Sequence, residues 1–203
     1  EPSNIPFVIL GTGMLWFGWF GFNAGSALAA NATAAMAFGT TTIASGTAML
    51  SWIFFDRVNG RKVSALGACI GAVIGLVAIT PAAGFVTIPH AIFIGFISAI
   101  VSNLMCNWKR LKKVDDTLDV FACHGMGGIM GMILTAVLAQ GENASLIHGG
   151  FEVFAHHMMA LVLVCAFTFL GSIILYKVTD VIIPLRVAED SETIGLDLSQ
   201  HDE

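Results

Sequence analysis

The chain alternates long apolar runs with short polar breaks. Six runs approach or exceed the roughly 20 residues a helix needs to cross a bilayer. They cover 6–28, 31–55, 63–82, 86–107, 117–139 and 154–180. The breaks fall at Asn31, at Asp56 to Lys62, at Thr80-Pro81, at Lys109 to Asp116 and at Gln140 to Gly150. The runs are continuous and do not alternate every second residue, so helices are expected and barrel strands are not.

All nine Lys and Arg residues lie on one side of this six-pass arrangement. Arg57, Arg61 and Lys62 share one break, and Lys109, Arg110, Lys112 and Lys113 another. Lys177 and Arg186 flank the end of the last run, and the alternate breaks around 28–33, 82–90 and 140–155 hold none. Basic loops stay on the cytoplasmic side, so both chain ends are predicted there, in an inner (cytoplasmic) membrane.

Composition agrees. Hydrophobic residues make up 56% of the 203 and charged ones 11%, against about 25% charged in soluble domains. Mean hydropathy is +0.83. An all-α, polytopic membrane bundle follows, with a transmembrane domain over 1–185 and a polar tail over 186–203. Six of the fourteen acids (Glu189, Asp190, Glu192, Asp197, Asp202 and Glu203) crowd that tail. No basic surface suited to nucleic acid is present. The chain opens at Glu1 without a signal-peptide pattern, and so abrupt a start in a polytopic protein reads as a fragment. Cys69, Cys106, Cys123 and Cys165 stand singly and read as buried small hydrophobes, not a metal or disulfide frame.

Glycines recur at helix-packing intervals: Gly67, Gly71 and Gly75, Gly21 and Gly25, Gly127 and Gly131. Such spacing lets helix backbones approach closely in lipid.

A few polar residues are out of place in lipid. His124 lies in the fifth run, within DVFACHGMGGIMG. An ionisable group there faces a cavity or a partner. A neutral imidazole both donates and accepts hydrogen bonds, so His124 reads either as a lining for a small hydrogen-bonding solute or as a core histidine bonded to a carbonyl. Asp115, Asp116 and Asp119 precede it and suit helix capping, with Lys112 and Lys113 as candidate partners. Phe22 and Ser26 are four residues apart, near Trp16 and Trp19. A ring face beside a hydroxyl suits a cation, and equally suits packing. Thr80-Pro81 reads as a pore-mouth turn or a plain helix stop. His156 and His157 are expected at the outer edge, and His90 and His148 in solvent. Asn143-Ala144-Ser145 fits a glycosylation pattern. No nucleophile elbow, Walker loop or paired acids in a cleft appears, so an enzyme is not expected, and no cofactor is implied.

Four segments in order, GWFGFNAGSA (18–27), GACIGAVIGLVAITPAAGF (67–85), VDDTLDVFACHGMGG (114–128) and RVAEDSETIGLDLSQHDE (186–203), together resemble the ammonium transporter family (Amt/Mep/Rh), in its bacterial Amt branch. The resemblance implies eleven helices in two inverted halves plus a final helix, assembled as a trimer with one pore per subunit. The six runs would then be the sixth to eleventh helices. It implies that His124 is similar to the second of two pore histidines, Phe22 to a gate phenylalanine, Ser26 to the hydroxyl of an outer recruitment site for ammonium, and Thr80 to a threonine near the same pathway. Trp19 is assigned packing alone. Gly195, Leu196 and Asp197 match the GLD element of a regulatory tail that answers PII-type signalling proteins. The other histidine, the other gate phenylalanine, a recruitment tryptophan and an aspartate would belong to a preceding half. The implied activity is ammonium or ammonia transport. Its rivals are an ammonium sensor working through a PII-type partner and an Rh-like neutral gas channel.

Overall fold

The computed structural model describes residues 2, 4–112, 115–141, 145–148 and 150–201, without the Arg110 side chain. Lys113, Asn143, Ala144, Asp202 and Glu203, which carried expectations above, lie outside the described residues. Two compact units are present, Glu1–Met159 and Ala160–Glu203. Among the described residues regular structure is helical and no strand occurs.

Each apolar run forms a helix. They are α1 (Ile5–Asn23), α2 (Ala32–Val58), α3 (Ala65–Ile79), α4 (Ile88–Leu111), α5 (Met126–Leu138) and α6 (Phe151–Ile182). A short α7 (Glu189–Ile194) lies in the tail. Several starts are set by side chains that satisfy otherwise orphaned N–H groups. Asn4 accepts from the Phe7 amide at 3.1 Å, Asn31 from Ala34 at 2.9 Å and Ser64 from Gly67 at 3.0 Å.

By length and apolarity, four segments qualify as spans: Ile5–Ala27, Ile88–Lys109, Phe121–Leu138 and Phe151–Ile182. The other two predicted runs are helical for different reasons. α2 has 27 residues but buries Thr40, Thr41, Ser45 and Ser51. α3 has only 15 residues, because the chain turns at Thr80 instead of continuing to 82. The first run also ends early: α1 stops at Asn23 and a 3₁₀ turn covers Gly25–Ala27.

In the first unit α2, α3 and α4 pack together, with α5 against α3 and α4 and α1 against α3. One stripe of α2 (Ala37, Thr41, Ala44, Ala48 and the larger Trp52) is buried and meets the glycines of α3. A β-carbon at Gly71 would lie 2.8 Å from Trp52 Cβ, and one at Gly75 would overlap the Ala44 carbonyl. Gly131 is equally close to the Ala78 carbonyl. Gly21 and Gly25, by contrast, have nothing within 4 Å of an added β-carbon in this chain. Several hydroxyls of α2 close on carbonyls, as lipid demands: Ser45 donates across to Ala72 O at 2.9 Å, and Ser51 to Thr47 O at 2.7 Å. One apolar core joins Ala44, Ile79, Val86, Ile94 and Leu134. A second joins Trp52, Ile74, Cys106, Ala122 and Cys123. Cys165 departs from the expected burial and is exposed, while the other three cysteines are buried.

In the second unit α6 continues as an apolar helix with exposed side chains, Phe167 and Leu175 among them. In the tail Arg186 holds the Glu192 carboxylate through Nε at 2.8 Å and a terminal nitrogen at 3.0 Å. That pairing draws the Glu192 carboxyl below its ordinary pKa. Gly195 turns the chain at φ 108°, a conformation open to glycine and strained for other residues. A helical turn over Asp197–His201 follows, and Leu196 is exposed.

Candidate functional site

Three of the four predicted pathway residues of the first unit lie in one connected group at the end of α1. The Trp19 indole Nε1 donates to the Thr80 hydroxyl at 2.8 Å, and the Thr80 hydroxyl donates in turn to Leu76 O at 2.8 Å. The Trp19 and Phe22 rings stand 5.8 Å apart at 60°. Ser26 donates to the Phe22 carbonyl. Phe22, Thr80 and Ser26 are thus linked through Trp19 and the α1 backbone. Sequence reading gave Trp19 only a packing role; here it also joins Phe22 to Thr80.

Two further ties fix α1 against α2. Asn23 donates to the Thr41 hydroxyl at 3.0 Å, and Phe20 stacks on Phe38 with centroids 4.2 Å apart. Gly11, Met14, Leu15, Gly18, Trp19 and Phe22 recur at helical spacing and line one apolar groove of about 560 Å³. Phe22 is 62% exposed, and Ser26 is exposed as well.

The chemistry at Ser26 follows from its hydrogen bond. A hydroxyl whose proton is committed to a carbonyl offers lone pairs to whatever approaches. The Phe22 ring offers a negative π face. Acceptor and ring face together suit a small cation with N–H groups.

His124 stands apart from that group. No hydrogen bond or ring contact links it to Phe22, Ser26 or Thr80 among the described residues. It sits in a π-helical turn, Phe121–Gly125, that leads into α5. Such turns are single-turn wide windings, frequent at functional sites. Ala122 and Cys123 face the Trp52–Cys106 core, and His124 is exposed on the open side. Helix begins at Val120, not 117, so His124 lies in its first turns.

The delay has a local cause. Asp116 does cap the helix, accepting from the amides of Val120 at 2.9 Å and Phe121 at 3.0 Å. Asp119 adopts φ 54°, its carboxylate pairs with Lys109 at 2.6 Å, and its carbonyl accepts from the Cys123 amide at 2.9 Å. Asp115 accepts from the Thr117 hydroxyl at 3.3 Å. Lys109 is thus a cation that meets both Asp116 and Asp119, and no pairing of Lys112 occurs among the described residues. The position of Lys109 at the C-terminal end of α4, just before an acid cluster, was the available signal. Burial raises the Asp116 carboxyl, but the two amide donors and the Lys109 ammonium outweigh it, so its pKa lies below the ordinary value.

The remaining histidines are peripheral. His157 Nδ1 lies 2.9 Å from Val153 O, and a carbonyl only accepts, so that nitrogen carries a proton. His148 is exposed as expected. His90 is not: its Nδ1 is buried without a hydrogen-bond partner, because the α4 start packs into the bundle.

The chain resembles known proteins throughout. The model of the Ammonium Transporter Family matches residues 1–203. Ammonium transporter Amt1 of Archaeoglobus fulgidus is 42% identical over 206 residues, covering 100% of this chain and 52% of that protein. The ammonium transporter of Bacillus subtilis is 39% identical over 213 residues, covering 100% and 52%. Among solved structures, Saccharomyces cerevisiae Mep2 superposes with TM-score 0.88 at 33% identity, covering 94% of this chain and 45% of that one. A structure titled Sensor Amt Protein does so with TM-score 0.85 at 29% identity, covering 98% and 49%. The chain spans about half the length of the relatives it matches. It is a multi-pass membrane protein that belongs to the ammonium transporter family.

Proposed function

We propose that the full-length protein conducts ammonium or ammonia across the cytoplasmic membrane, with this chain supplying one side of the pathway. The observation that carries the reading is the pairing of Ser26 with Phe22. The Ser26 hydroxyl is exposed with its proton committed to the Phe22 carbonyl one helical turn back, and the Phe22 side chain is itself exposed. Ammonium and potassium are similar in size and charge, but only ammonium donates hydrogen bonds and can lose a proton. An acceptor beside a π face favours ammonium. Beyond it, an apolar passage penalises a bare charge heavily. A pathway of this kind passes the neutral species, with His124 accepting hydrogen bonds from it and relaying the released proton.

The same reading assigns 1–185 to the membrane and 186–203 to the cytoplasm. The one-sided placement of Lys and Arg supports this orientation. Family resemblance supports a homotrimer with lipid around it, and a tail at Gly195, Leu196 and Asp197 that meets a PII-type partner. A second reading, an ammonium sensor acting through that tail, draws support from the likeness to the Sensor Amt Protein.

The deciding experiment is ammonium-evoked current in liposomes bearing the full-length protein, beside His124→Ala. A current selective for ammonium over potassium, with selectivity altered or lost in the variant, is expected. A folded protein without current or ammonia uptake, yet with ammonium-dependent PII capture, would favour the sensor.

A further inference from the structure

The corner between α4 and α5 contains a buried cation with no part in the pathway described so far. Lys109 lies in the last turn of α4 and is 5% exposed. An ammonium has three N–H donors, and Lys109 places them on three acceptors. Asp119 Oδ1 is at 2.6 Å and Asp116 Oδ2 at 3.2 Å, and the Asp116 carbonyl is the third.

Each acceptor residue continues into the turn that bears His124. The Asp116 carboxylate also holds the amides of Val120 and Phe121. Asp119, wound to φ 54°, accepts from the Cys123 amide through its carbonyl at 2.9 Å. The widened turn Phe121–Gly125 begins there and closes with the Met126 amide on Phe121 O. A left-handed aspartate and a π turn are both uncommon windings that persist where their surroundings hold them. Here one ammonium holds the start of both, while Ala122 and Cys123 anchor the inner side.

From this arrangement we propose that Lys109 is a positioning residue for His124: its ammonium fixes the register of the Phe121–Gly125 turn through Asp116 and Asp119, and so sets where the imidazole stands. The role assigned to transport rests on the reading of His124 as a pathway residue. Without the ammonium, Asp116 and Asp119 lose the cation they share. The turn loosens, the π winding relaxes, and the ring moves off its place.

The test uses the full-length protein in liposomes, compared per folded protein. Lys109→Met is expected to shift the ammonium-over-potassium selectivity in the same direction as His124→Ala, by about tenfold, the scale at which misplacement by a fraction of an ångström is felt. In the His124→Ala background it is expected to add nothing, since residues acting through one group are not additive. Lys109→Arg, which keeps the charge, is expected to recover most of the selectivity. Amide exchange over 120–126 is expected to speed up in Lys109→Met alone. A folded Lys109→Met with parental selectivity and exchange overturns the proposal, as does an effect fully additive with His124→Ala. If His124→Ala itself leaves transport unchanged, the pathway reading falls, and exchange over 120–126 alone decides whether Lys109 holds the turn. Should Lys109→Met fail to fold, Asp119→Ala removes the acceptor that Lys109 holds and takes its place in both assays.

Discussion

The Trp19 indole and the Thr80 hydroxyl meet at 2.8 Å across the junction of α1 and α3. Because the Thr80 hydroxyl also donates to Leu76 O, the threonine acts chiefly as a fixed acceptor that holds the tryptophan. Thr80→Val keeps the shape and removes the acceptor, leaving the indole N–H unpaired at a cost of about 1–3 kcal/mol. Part of that is expected to appear as a loosened Trp19–Phe22 pair. Ammonium-evoked currents should show a half-saturating concentration raised severalfold, and Thr80→Ser should restore it.

Ser26→Ala is a sharper probe of recruitment. The variant loses the hydroxyl lone pairs but little packing, since Ser26 is exposed. A single neutral hydrogen bond is worth about 0.5–1.5 kcal/mol net, or roughly two- to twelvefold in affinity. Half-saturation should rise by that factor with the maximal current unchanged. A drop in maximal current at constant half-saturation would place Ser26 outside the recruitment step.

Acid should loosen the His124 turn through Asp116. Its folded pKa lies below the ordinary carboxylate value, so the carboxylate contributes stability at pH above about 4. That contribution is lost as pH falls through the depressed folded value. Amide exchange over 120–126, corrected for its intrinsic pH dependence, should accelerate on the acid side of pH 4. Asp116→Asn should remove most of that dependence, and exchange that stays flat in the parent would contradict it.

Gly75 has no room for a side chain, since a β-carbon there overlaps the Ala44 carbonyl. Gly75→Leu forces α2 and α3 apart, and overpacking of this kind costs about 1–3 kcal/mol or more. Thermal unfolding of the detergent-solubilised protein should show a lowered midpoint, with the loss felt by both helices.

Much of this was legible in the chain. Continuous apolar runs gave the helices, and Gly67, Gly71 and Gly75 gave the α3 seam. Asn31 marked a break and turned out to cap α2. What escaped was pairing across distance. Arg61 was read simply as a cytoplasmic charge, yet it meets Asp56 at 2.9 Å and Asn103 at 2.6 Å. Lys109, not Lys112, took the two aspartates because α4 delivers it to the corner. His90 was placed in solvent by its position in a break, whereas packing buries Nδ1. Hydropathy measures how much polarity a segment carries. It does not say which polar groups will find each other, nor where a helix starts when carboxylates fold back on a lysine. The pathway group was readable mainly as a motif: spacing put Phe22 beside Ser26, but not the Trp19 bond to Thr80.

The seam between α2 and α3 also bears on how such a chain enters a bilayer. Taken singly, α2 carries too many hydroxyls and α3 too few residues to partition well into hydrocarbon. Ser45 bonded to Ala72 O removes one of those polar liabilities only when both helices are present. The favourable unit of insertion is therefore the helical hairpin, and the Arg61–Asp56 pair lies at the end where its two helices are joined.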